Sequence, residues 1–141
     1  MTTMPPTTQI YLSFNGECEA AFRFYEEHLG ATGASMFPYA GSPMNVPPEW
    51  QSKIMHGSIT LGGVTVAGAD PPPGGYEHPR GFRMFLESDD PGETERLFNA
   101  LAENGTIEMP LQETFWSLLF GVLTDQFGIP WTISCAQAPT P

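Results

Sequence analysis

The sequence contains the same order of segments twice. A strand-like run over residues 10–14 comes before a helical pattern that begins at Asn15 and closes at Gly30, and a second run over 82–87 comes before a pattern from Asp90 to Gly105. The two helical patterns begin 75 residues apart, at positions 15 and 90. This repetition predicts two copies of one strand–helix unit within a single short chain.

The acidic composition excludes two classes of partner. The 141 residues include 5 Lys and Arg against 16 Asp and Glu, which gives a formal net charge of −11. Nucleic acids and anionic membranes would be repelled, and no apolar run approaches the roughly 20 residues that cross a bilayer. Cys18 and Cys135 are too few for a disulfide framework, and no signal-like apolar segment opens the sequence, so we expect a cytoplasmic protein with reduced thiols.

Both helices carry recognisable start and stop signals. In the first, Asn15 is the expected N-cap and Gly30 the left-handed residue after the end. In the second, Asp90 is the expected cap, Pro91 occupies the first helical position and Gly105 ends the helix as Gly30 ends the first. Each helix has one apolar stripe at 3.6-residue spacing, which predicts packing on a sheet.

Strand-like runs follow each helix, and turn-forming residues separate them. Glycines at 62 and 63 predict a hairpin between two of these runs. The fold class predicted is α+β, with flexible ends over 1–8 and 136–141, a first βαβββ module over 9–70, a Pro/Gly linker over 71–81 and a second βαβββ module over 82–135. The strands expected after the helices are 34–39, 53–61 and 64–69 in the first module and 106–111, 117–124 and 131–135 in the second.

Local motifs over residues 10–135 resemble one protein family. In this order they are similar to the PhnB-like branch of the vicinal oxygen chelate superfamily, which includes glyoxalases, bleomycin-resistance proteins and dihydroxybiphenyl dioxygenases. The motifs are Tyr11 to Gly16 with Cys18, Glu19-Ala20 and Phe24-Tyr25, then Met55-His56-Gly57, Phe115-Trp116 with Phe120-Gly121, and Asp125 with Phe127-Gly128 and Trp131.

The resemblance implies an architecture and a range of functions. Two tandem modules would form curved mixed sheets with the helices on the outer face, in a homodimer whose sheet-lined cups hold a small molecule. Some relatives bind a divalent metal such as Zn, Mn, Ni or Fe and act as lyases, isomerases or dioxygenases. Others sequester drugs without metal, so the fold alone leaves function open.

Candidate metal ligands lie at two positions. Strand alternation places Gln9, Tyr11 and His56 toward the cup, and Gln9 and His56 are the candidates for holding an ion. The resemblance implies a glutamate at position 132, where this sequence has Thr132, and a ligand at Arg83 or Met84. A threonine hydroxyl does not replace a carboxylate on a hard divalent cation. Alternatively, Gln9 is simply a polar residue at the start of a strand, since a lone glutamine is a weak ligand.

Four residues are candidates for catalysis or substrate binding. His56 could transfer protons and Tyr11 could donate its phenolic hydroxyl, although each could instead shape the cup. Arg83 could bind a substrate carboxylate or phosphonate, or pair with Glu87 on the same strand. Trp116 could line an apolar pocket, or pack in the core or at a dimer interface.

Three functional hypotheses follow. The first is a glyoxalase-type metalloenzyme, the second a metal-free protein that binds or sequesters a small molecule, and the third a structural or regulatory dimer. Methyltransferase activity has no support, because no Gly-x-Gly-x-Gly loop follows a strand.

Overall fold

The computed structural model describes residues 3–136, which divide into two compact units on either side of the Tyr76–Glu77 bond. Each unit has one helix and a four-stranded mixed sheet, so the α+β fold with tandem modules is confirmed. Residues 3–8 are exposed and have no regular secondary structure. Of the predicted flexible C-terminal end, Ala136 is described and its backbone N–H donates to the Ser88 carbonyl at 2.8 Å. The remaining residues of the predicted ends, 1–2 and 137–141, lie outside the described residues.

In the first unit, the first and last strands are neighbours. The sheet order is β1-β4-β3-β2, and β1 pairs with β4 in parallel while the other pairs are antiparallel. A short 3₁₀ turn at Pro48–Trp50 interrupts the loop before β3. The elements are β1 (Ile10–Ser13), α1 (Cys18–Leu29), β2 (Thr32–Pro38), β3 (Ile54–Leu61) and β4 (Val64–Ala69).

The second unit repeats this topology. Its sheet order is β5-β8-β7-β6, with β5 and β8 parallel. The elements are β5 (Met84–Ser88), α2 (Pro91–Ala102), β6 (Thr106–Gln112), β7 (Leu119–Thr124) and β8 (Pro130–Cys135). Strands β5 and β7 begin two residues later than the sequence predicts. Among residues 3–136, no helix has the length and apolarity to cross a membrane.

Glycines in the sheets allow each helix to approach closely. A Cβ at Gly68 would lie 2.9 Å from the ring of Phe22 on α1, and a Cβ at Gly121 would lie 2.6 Å from the ring of Phe98 on α2. Both phenylalanines are buried. The sheet face under each helix is therefore its core face, and we call the opposite one the helix-free face.

The predicted cap of α1 is wrong. The helix begins at Cys18 with Glu17 at the N-cap, and no side chain in this turn caps it. The carboxylate of Asp70, just after β4, instead accepts hydrogen bonds from the backbone N–H of Cys18 at 3.0 Å and of Ile54 at 2.9 Å. The cap comes from the far end of the module, a position that a local motif cannot reveal. Gly30 has φ 73° and ends α1 as predicted.

For α2, the predicted start is confirmed and the predicted left-handed residue at the end is wrong. Asp90 caps the helix by accepting a hydrogen bond from Glu93 N at 2.8 Å. The left-handed residue after the helix is Asn104, with φ 58°, rather than Gly105. Gly105 is required for a different reason, since a Cβ there would lie 2.4 Å from the carbonyl oxygen of Thr124.

Candidate functional site

A tyrosine and a histidine meet on the helix-free face of the first sheet. The Tyr11 hydroxyl lies 3.3 Å from His56 Nδ1, and the ring centroids are 5.7 Å apart. The two residues come from β1 and β3, which flank β4, so this pair spans three strands. Both side chains are exposed, and Tyr11 retains 55% of its accessible surface.

The chemistry of the pair follows from the protonated phenol. Partial burial, followed by the nearby Cys18 thiol, raises the pKa of Tyr11 above its usual value of 10.0. The phenol therefore remains protonated at neutral pH and can donate to Nδ1 when that nitrogen has its lone pair free. In that tautomer the imidazole keeps its proton on Nε2, which is then a hydrogen-bond donor for a bound molecule.

An aromatic side chain lies on one side of this pair, and the neighbouring positions of the sheet have small side chains. Phe37 on β2 pairs in register with His56, and 57% of its surface is exposed. The intervening positions are small: Ser58 pairs with Ala67, which in turn pairs with Tyr11. Ala67 itself is buried, so a flat molecule would contact the exposed rings of Tyr11 and Phe37 rather than the sheet beneath them.

Gln9 does not join His56. Gln9 precedes β1, whose first residue, Ile10, pairs with Val66. On the other side of β4, the register places His56 beyond the Gly57–Gly68 pair, toward the end of β4. The two positions are thus four residues apart along the sheet, about 13 Å in the strand direction. The predicted pair of metal ligands is too far apart to hold one ion within this unit.

Arg83 forms an ion pair in the second unit, but with a different partner from the one considered. Its Nη2 donates to Glu108 Oε2 at 2.5 Å and its Nη1 to the Leu123 carbonyl at 3.4 Å. Pairing with Glu87 is therefore wrong. The hydrogen bond from Thr124 Oγ1, followed by that from Arg83, lowers the pKa of Glu108, so the carboxylate is ionised at neutral pH.

Trp116 belongs to an exposed aromatic group of the second unit. It makes edge-to-face contacts with Phe115 and Phe120, at centroid distances of 4.6 Å and 5.4 Å. Trp116 is 51% exposed and Phe115 is 90% exposed. The indole is therefore available to a ligand or to a protein partner, and both interpretations of Trp116 stay open. Trp131, by contrast, is a core residue, 1% exposed.

The positions expected to complete a metal site have unsuitable chemistry. Thr132 lies on the helix-free face of the second sheet, paired with Phe85 in register. Met84 has the alternate orientation and pairs with Trp131, a core residue. Within residues 3–136, no three His, Cys, Asp or Glu side chains are grouped so that they could hold a metal ion. The residues present do not fit a divalent cation.

Neither cysteine has the environment of a nucleophile. Both are free and buried. Burial, followed by the charges of Asp70 and Glu19, raises the pKa of the Cys18 thiol far above its usual value of 9.0. The thiol stays protonated and packs as a small apolar group.

Sequence reasoning missed two residues of these sites. Phe37 was not recognised because its neighbour on β3 depends on a register that contains a shift. Glu108 was not recognised because a register shift between Ile107 and Met109 breaks the alternation of β6. An arginine beside a strand, in a chain with only five Lys and Arg residues, indicates that a carboxylate partner exists, although not which one.

Comparison with known proteins identifies the family. Residues 9–133 match the glyoxalase/bleomycin resistance protein/dioxygenase superfamily. The chain belongs to this superfamily. It is 37% identical to protein YjdN of Escherichia coli strain K12, over 92% of this chain and 96% of that protein. The resemblance inferred from the motifs is thus confirmed.

Two solved structures share the fold of this superfamily member. Protein PA1353 of Pseudomonas aeruginosa is 42% identical, with a TM-score of 0.81 over 94% of this chain and all of that one. A Bacillus cereus PhnB protein, also named as a 3-demethylubiquinone-9 3-methyltransferase, is 22% identical with a TM-score of 0.77 over 93% of this chain and all of that one. At 22% identity the second similarity shows the fold alone and brings no methyltransferase activity to this chain.

Proposed function

We propose that this protein binds a small aromatic molecule carrying oxygen substituents on the helix-free face of its first sheet, without a chelated metal ion. The observation that supports the proposal is the Tyr11–His56 pair, 3.3 Å apart and exposed beside Phe37. The aromatic side chains would contact the flat faces of the ligand, and the paired phenol and imidazole would bind its oxygen atoms.

The donor set favours binding over metal-dependent turnover. A glyoxalase-type lyase, isomerase or dioxygenase of this superfamily would need ligands that hold the ion while substrate oxygens chelate it. Here Thr132 stands at the glutamate position, and Gln9 is four residues away from His56 along the sheet. No step through a metal is therefore assigned to these residues.

Titration with 4-nitrocatechol tests the proposal, because this ring carries adjacent oxygens and absorbs visible light. We expect saturable binding that is unchanged by excess EDTA. Tyr11→Phe and His56→Gln should each raise Kd about fivefold to tenfold, the size of one lost hydrogen bond. The matched control is His28→Gln, which changes a histidine on α1 of the same unit and should leave Kd unchanged.

Three results would overturn the proposal. One is the absence of saturable binding at millimolar nitrocatechol. Another is loss of binding in EDTA together with near-stoichiometric Zn, Mn, Ni or Fe in untagged protein, measured by elemental analysis. The third is an equal effect of His28→Gln and His56→Gln.

A further inference from the structure

A cavity of about 500 Å³ lies in the second unit, at the end of the sheet where β5 and β8 begin. It is separate from the Tyr11–His56 pair of the first unit and does not depend on the function proposed for that pair. The side chains that matter for its chemistry are His78, Arg80, Phe82, Arg83, Glu108 and Thr124.

The lining of this cavity concentrates positive charge in an acidic protein. Two of the chain's five Lys and Arg residues, Arg80 and Arg83, face it together with His78. Glu108 is the one carboxylate among the lining residues. With a formal net charge of −11, the protein as a whole repels anions, so an anion held here is held by the local arrangement.

Arg83 is held in a fixed orientation before any ligand binds. Glu108 accepts a hydrogen bond from Arg83 on one carboxylate oxygen and from Thr124, at 2.8 Å, on the other. The Leu123 carbonyl accepts the second hydrogen bond of the guanidinium. Two guanidinium nitrogens are thereby engaged, which leaves other N–H donors of Arg83 for a ligand at little cost in side-chain entropy.

Arg80 differs from Arg83 in the contacts of its guanidinium group. Within residues 3–136 its guanidinium has no ion pair or hydrogen bond, and its side chain is exposed beside the cavity. Its charge is therefore uncompensated. Phe82 lies between the two arginines in the sequence. Its side chain is 36% exposed and adds apolar surface to the lining of the cavity.

We propose that this cavity binds a small organic anion, in which a carboxylate or phosphonate group contacts Arg80 and Arg83 and an apolar part packs on Phe82. Guanidinium groups match the geometry of both oxyanions, since two parallel N–H donors can bind two oxygens of either. Arg83 supplies positioned donors, and Arg80 supplies a charge that no ion-pair partner among residues 3–136 neutralises.

Calorimetric titration with three ring compounds tests the site. Benzoate and phenylphosphonate carry the two anionic groups, and benzamide presents a similar shape without charge. We expect saturable binding of at least one anion and none of benzamide. The tighter of the two anions identifies the group that the cavity prefers.

The variant Arg80→Gln and its matched control Arg96→Gln separate a built site from general charge effects. Arg96 lies on α2 of the same unit and pairs with Glu93, so both variants remove one positive charge from this unit. Arg80→Gln should weaken anion binding at least about fivefold, whereas Arg96→Gln should leave it unchanged. Because Arg80 has no partner among the described residues, its variant should keep the thermal unfolding midpoint of the unmodified protein.

Three outcomes would overturn this inference. They are equal weakening by both variants, benzamide binding as tightly as the anions, and the absence of saturable binding for both anions. Nitrocatechol binding by the first unit is measured with different variants, so failure of one proposal is distinguishable from failure of the other.

Discussion

Some residues of this protein have structural roles that the neighbouring sequence does not reveal. Asp125 is an example, because its buried carboxylate accepts hydrogen bonds from Phe127 N, Ile129 N and the Trp131 indole at 2.9–3.0 Å. A buried carboxylate is stable only when its oxygens are satisfied in this way. The sequence predicts a turn at Asp125, which the structure shows, but it does not predict the hydrogen bond to the indole.

Two glycines that follow helices should respond differently to substitution. Gly30→Ala should cost about 1 kcal/mol, because the left-handed φ of 73° is strained for alanine although no atom lies within 4 Å. Gly105→Ala should cost about 3 kcal/mol or more, since its Cβ would meet the Thr124 backbone oxygen at 2.4 Å and backbone cannot swing aside. Urea unfolding of both variants measures the difference. Equal costs would contradict the close approach at Gly105.

At the scale of elements, the sequence predicts both helices and all eight strands, and the misses fall at their ends. Strand and helix periods are local properties, so 64–69 is predicted residue for residue. The cap of α1 is not local, because Asp70 is 52 positions from Cys18. The site was predictable to a similar extent: alternation places Tyr11 and His56 on one face, whereas the Arg83–Glu108 pair depends on an irregular register.

Glu108 on β6 accepts hydrogen bonds from Thr124 on β7 and from Arg83 just before β5, and the stability that these bonds contribute should depend on pH. Hydrogen bonds from Thr124 and Arg83 lower the pKa of Glu108 below its usual 4.5. A lowered pKa means that the folded state binds this proton less tightly than the unfolded state. The stabilisation from these hydrogen bonds is therefore complete above the unfolded-state pKa of about 4.5. It is lost as the pH falls through the lower pKa of Glu108 in the folded state.

Glu108→Gln tests this dependence by removing the titrating group. Its free energy of unfolding should vary less between about pH 5 and pH 3 than that of the unmodified protein, and Glu103→Gln, on the exposed end of α2, is the control. The effect should be small because both side chains of the ion pair are more than a third exposed. Parallel pH profiles for all three proteins would contradict the assignment.

For the whole molecule, the family resemblance predicts a homodimer. Phe115 and Trp116 expose apolar rings, and burial of such rings against a partner is favourable. Sedimentation equilibrium should give twice the mass of the 141-residue chain, and Phe115→Ser should shift the equilibrium toward the single chain. A monomer mass over the whole concentration range would contradict the prediction.

Parallel pairing of the first and last strands of each unit has a consequence for synthesis on the ribosome. Strand β1 has no neighbour until β4 is made, and α1 lacks its carboxylate cap until Asp70 follows. The first unit therefore stays incomplete until β4 and Asp70 have been synthesised, and it can close as a whole before β8 completes the second unit. A released chain that ends before β4 leaves β1 without its partner strand and exposed to chaperones, whereas a chain that extends past Asp70 can complete the unit.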